Sequence, residues 1–200
     1  MIRFRIDVDY PYPSRIRSFL YTGFGIRTSK DYLKNSKIIA KMINNSPKEA
    51  KAYWFFTPKT APDKELLALI DNTKHEAALH VVNDPVAEAK VLERIVGKSL
   101  NYYTIHGTSR LLARIMWHRW RAKAPSIPED FPLLSFHEFP IPRLGLDSLC
   151  YYHSADEALK KAEEDIKQGQ VIYFHPIWLF QRGTLNHRGP FYEVLRRILD

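Results

Sequence analysis

Short apolar runs alternate with longer helical runs along nearly the whole chain, and this alternation limits the fold more than any other feature. Residues 2–8 (IRFRIDV) read as a strand. Ile2, Phe4, Ile6 and Val8 fall on one face; Arg3, Arg5 and Asp7 fall on the other, with Asp9 next in line. Further strands read at residues 52–56 (AYWFF), 76–82 (EAALHVV), 102–106 and 171–174. Helices read between and after them, at residues 14–21, 31–44, 63–70, 86–96, 109–124, 155–167 and 191–199. Gly97 and Gly169 stand where two of these helices should stop, and Pro190 opens the last. Strand followed by helix, repeated, points to an α/β protein with a mainly parallel sheet. The proline-rich stretch 125–142 reads as extended or looped chain inside one domain spanning residues 1–200, because the strand and helix beyond it are too little to form a core alone.

Two hundred residues suffice for one domain with a real core. No apolar run approaches the roughly 20 residues of a membrane-spanning helix, so no transmembrane segment is expected. Asp7 and Asp9 occupy the place where a secretion signal would carry its apolar centre. The single cysteine, Cys150, excludes an intramolecular disulfide and any cysteine-cluster metal site. A cytoplasmic location is expected on these grounds. The net charge of +8 favours anionic partners. Residues 109–124 concentrate part of that charge on a helix, with Leu112, Ile115, Met116 and Trp120 near one face and Arg110, Arg114 and Arg121 elsewhere. A solvated basic back is the ordinary reading; a membrane-peripheral contact with anionic headgroups, or with a lipid-linked glycan, is the sharper one. No nucleic-acid motif accompanies the charge, so nucleic acid is not expected as a partner.

Chemistry concentrates at the strand ends. The first strand ends in Asp7 and Asp9, the third in His80 with Asp84 just beyond, the fourth in His106 and the last in His175. Parallel α/β folds gather the C-terminal ends of their strands on one side, where active sites form. Two carboxylates two residues apart can divide the labour, one binding a metal and the other taking a proton from water. His80 and Asp84 add ligands acceptable to zinc and to harder divalent ions. Other readings stand beside these. Asp7 and Asp9 share a face with Arg3 and Arg5 and could form an ion-pair ladder. Asp84, before Pro85, could cap the helix that follows. His106, before Gly107, could be a loop residue. His75, His118, His137, His153 and His187 show no constellation. Tyr10, Tyr12, Trp178 and Phe180 flank the motifs and suit either sugar stacking or core packing.

These residues resemble the motifs of the polysaccharide deacetylases of the NodB homology type, metal-dependent hydrolases that remove acetyl groups from amino sugars and polysaccharides. Ile6-Asp7-Val8-Asp9 resembles their first motif, His75-Glu76-Ala77-Ala78-Leu79-His80 their second, and Val171-Ile172-Tyr173-Phe174-His175-Pro176 their last. The resemblance implies a single-domain distorted (β/α) barrel of about seven strands or fewer. It implies Asp7 as general base, His175 as general acid, and Asp9 and His80 as ligands of a divalent metal, zinc or else manganese or cobalt. Asp84 stands where the family places a second metal-binding histidine. Asp147 lies roughly where the family carries an aspartate that tunes catalysis. An equivalent of the arginine-bearing third motif is not evident, and Tyr103 to Gly107 occupy that stretch. The expected activity is hydrolysis of an acyl group from an amino sugar or polysaccharide. The alternative is a catalytically degenerate domain that binds a glycan or a partner.

Overall fold

A computed structural model describes residues 1–8, 31–106, 126–136, 139–179 and 190–200. Its elements in chain order are β1 (Ile2–Val8), α1 (Asp31–Asn45), β2 (Ala50–Phe56), α2 (Lys64–Ile70), β3 (His75–Val81), α3 (Pro85–Val96), β4 (Tyr102–Ile105), β5 (Leu134–Ser135), α4 (Leu146–Tyr152), α5 (Ala155–Lys167), β6 (Ile172–Phe174) and α6 (Phe191–Leu199). The helices expected at residues 14–21 and 109–124, and the residue Asp9, lie outside the described residues. The rest of the expected strand–helix order appears, with two additions. β5 is a two-residue strand inside the proline-rich stretch, and α4 follows that stretch directly.

Among the described residues the six strands are all parallel, in the order β5-β4-β3-β2-β1-β6. This establishes the α/β class. Strands β1 to β5 lie side by side in chain order, and β6 returns to the other flank of β1. Such connections are right-handed almost without exception, so successive helices fall on one face of the sheet. The packing agrees. Ile2, Phe4, Ile6 and Val8, with Trp54, Phe56, Leu79 and Phe174, are buried in one cluster with apolar residues of each of the described helices α1 to α6. Burying a side chain of this size stabilises the fold by roughly 1.5–3 kcal/mol.

The opposite face has the other parity and carries the polar residues. Tyr53, Phe55 and Ala78 line it, and it is covered by Phe136, Phe139 and Val171, which lie in segments beside the strands. Phe136 is the centre of this smaller cluster, with its ring 4.9 Å from both Tyr53 and Phe55 and 4.5 Å from Phe139. The charged positions of β1 are therefore enclosed: Arg5 and Asp7 are both buried. Charged side chains so placed must satisfy one another.

Candidate active site

The C-terminal ends of β1, β3, β4 and β6 supply the site. At β1, Arg5 and Asp7 are two residues apart on the same face, so the longer side chain reaches forward to the shorter. Arg5 Nε donates to Asp7 Oδ1 at 2.8 Å and Nη2 donates to Oδ2 at 2.6 Å. The guanidinium sits 5.6 Å from the Phe55 ring and 5.5 Å from the Tyr173 ring. Those rings belong to the two neighbouring strands, so β1 must be flanked on both sides for Arg5 to be held. Burial pushes the Asp7 carboxyl up, but the Arg5 guanidinium, with His80 and His175 adding to it, holds it below the usual carboxylate range. The end of β1 is pinned from outside the sheet by the Thr60 hydroxyl, which donates to the Val8 carbonyl.

β3 and β4 bring two imidazoles together. His80 pairs in register with Thr104, and its Nδ1 lies 2.6 Å from Thr104 Oγ1. Its Nε2 lies 3.1 Å from His106 Nδ1, with the two rings nearly perpendicular. The His106 amide donates to the Val81 carbonyl at 2.8 Å, which continues the ladder one residue past β4 and fixes where the imidazole stands.

β6 delivers His175. Its Nδ1 lies 2.8 Å from Asp147 Oδ2. Asp147 is buried in the first turn of α4, and its Oδ1 accepts from the Ser148 amide at 3.0 Å. Gly145 makes the approach of α4 to β6 feasible. A Cβ there would lie 2.9 Å from the Tyr173 carbonyl and 2.8 Å from Asp147 Oδ1. Beyond His175 the chain turns at Pro176, whose carbonyl accepts from Asn35 Nδ2 of α1 at 2.9 Å.

The structure thus brings Asp7, His80, His106, Asp147 and His175 to the same end of the sheet. Asp84 has a different position. It is exposed and caps α3, its Oδ1 accepting from the Val86 and Ala87 amides at 3.0 Å each. Two residues missing from the sequence-based set belong to the site. Thr104 lies two residues before His106 on the same face of β4, a spacing that could have drawn attention to it. Arg5 was read as a possible ion-pair partner of Asp7, and the structure pairs the two. His75 lies in the core, its Nδ1 accepting from Trp54 Nε1 at 3.0 Å and its Nε2 facing Asn44 Oδ1 at 3.0 Å. Cys150 is buried, and burial, then the Asp147 charge, push its thiol up to about 12.

Among the described residues, no group of three or more His, Cys, Asp or Glu side chains is arranged around a common metal position. The donors that suit a metal best are the two imidazoles of His80 and His106, whose nitrogens face each other. The chain matches no protein family, no curated protein and no solved structure.

Proposed function

We propose that this chain is a hydrolase of the polysaccharide-deacetylase kind, removing an acetyl or other acyl group from an amino sugar or polysaccharide. The observation that carries the reading is the pairing of half-buried His175 with buried Asp147, 2.8 Å apart, at the strand ends that also carry Asp7 and His80. A carboxylate behind an imidazole fixes the ring, selects its tautomer and stabilises its charged form. With Nδ1–H donated to Asp147, Nε2 is the atom that delivers a proton to the departing amine or hydroxyl. Asp7, held ionised by Arg5, accepts a proton from the attacking water. Arg5 also lowers the basicity of Asp7, so this step relies on an acidified water. A divalent cation seated on the histidines, zinc or else manganese or cobalt, would polarise the acyl carbonyl and acidify that water. The sheet fits the same reading. Strands wound in chain order with helices on one face leave the other face as the interior of an incompletely closed (β/α) barrel. An anionic, lipid-linked glycan is the substrate class that the basic charge would favour.

A second reading has its own observation. Arg5 engages both oxygens of Asp7, as a purely structural ion pair would, and a barrel that keeps its polar interior without turnover would bind a glycan or a partner instead. Acetate release from N-acetylglucosamine oligomers and O-acetylated glycans, measured with zinc, manganese or cobalt supplied, separates the two. Release that falls about 10²–10⁴-fold in His175→Ala, with the melting temperature unchanged, supports the hydrolase. Absence of release from every acylated glycan, or full activity in His175→Ala, removes it.

A further inference from the structure

We propose that His80 and His106 together form a two-imidazole seat for a divalent cation, with His106 serving where the spacing along the chain points to Asp84. The use to which such an ion is put rests on the hydrolase reading; the seat itself rests on geometry. The two rings come from adjacent parallel strands, and their facing nitrogens, His80 Nε2 and His106 Nδ1, are 3.1 Å apart. Two bonds of 2.0–2.1 Å to one zinc at a near-tetrahedral angle place ligand nitrogens roughly 3.3 Å apart, so only a slight opening of the pair is required.

The tautomers follow from the neighbours. Thr104 Oγ1, fully buried, stands 2.6 Å from His80 Nδ1. When Nδ1–H donates to that hydroxyl, the lone pair of Nε2 points at His106. A metal-binding histidine is usually oriented in this way by an acceptor on its other nitrogen. The His106 amide donates to the Val81 carbonyl, which fixes the backbone from which its ring projects. Two neutral imidazoles can present two lone pairs to one place, and a borderline-soft divalent ion suits them. Asp84 is engaged elsewhere: it is exposed, and two backbone amides of α3 hold its carboxylate.

The full chain, stripped with chelator, is titrated with Co²⁺ and followed by visible absorption and by calorimetry, without substrate. One equivalent should bind. His80→Ala and His106→Ala should each weaken binding by at least about 100-fold, beyond the 10–100-fold typical of losing an orienting partner, and Thr104→Val by about 10-fold. Asp84→Asn, which keeps an N-cap side chain, should bind as the unmodified chain does. His106→Gln, checked by circular dichroism and melting, repeats the test if the alanine variant folds poorly. No binding by the unmodified chain overturns the seat, as does equal binding by His106→Ala or a loss in Asp84→Asn as large as in His106→Ala. The acetate assay reads the hydrolase separately. Cobalt bound through both histidines with no acetate released leaves the seat standing and removes the hydrolase. Acetate released by a chain that takes up no cobalt does the reverse.

Discussion

Arg5 and Asp7 are each buried, and neither could remain so alone. Their bond lengths of 2.6 and 2.8 Å describe a fork-to-fork pair, the strongest arrangement open to these two groups. Such a pair adds little net stability over apolar residues of the same volume, yet losing one partner is costly because the other is left charged and enclosed. Arg5→Ala should therefore destabilise the fold by roughly 3–5 kcal/mol, read as a lower urea midpoint. Replacing both residues with apolar side chains should recover much of that loss. A single variant within about 0.5 kcal/mol of the unmodified chain, the range of ordinary surface changes, would show that the pair is solvated. The sign of the Asp7 effect also bears on mechanism: a carboxyl held below its usual range stays ionised through neutral pH, so acid rather than base should silence it.

At the scale of elements, Phe136 does for the polar face of the sheet what the helices do for the apolar one. It follows β5 directly, is fully buried, and touches rings from β2 and β4 as well as Phe139. Phe136→Ala should cost about 3–5 kcal/mol and loosen the packing beneath Arg5, measurable by chemical denaturation and by faster amide exchange in β2. No sequence signal marked this residue. Strands β1 to β4 and β6 were legible because their apolar residues run in short blocks between turn formers, and α5 because its helix formers run unbroken until Gly169 stops them. β5 and α4 were not: two residues carry no period, and seven residues held by packing on β6 need no strong propensity of their own. The same division runs through the site. Asp7, His80, His106 and His175 were readable as strand ends. The Arg5–Asp7 pair and the Asp84 cap were readable as alternatives, because each lies within a few residues of its partner; that Thr104 would meet His80 depends on strand register, which no short stretch of chain encodes.

For the whole molecule, acid should unfold the chain in two windows. Burial pushes the His75 imidazole down to about 4, with Lys51 and Lys74 adding to it. The folded state thus prefers His75 neutral, whereas the unfolded chain takes up a proton near pH 6.5. Stability is complete above that value and declines as pH falls from about 6.5 toward 4, by up to roughly 3 kcal/mol. The loss from Asp7 comes later: it begins below the unfolded carboxylate range and continues down through its lowered folded value. Urea midpoints measured from pH 7 to pH 4 should fall, and His75→Gln should flatten that slope; an unchanged slope would show that His75 does not set it. The strand order has one more consequence. β1 is paired on one flank by β2, soon after it in the chain, and on the other by β6, so that Phe4 lies beside Ile172. During synthesis β1 to β5 can assemble while that second edge of β1 waits open. Tyr173, which closes the cage around Arg5, and His175, which faces Asp147, arrive together on the strand that seals the edge. Residues that hold Arg5 and face Asp147 therefore reach the site in the same event that covers the second edge of β1, and a nascent chain that stalls before Val171 lacks both.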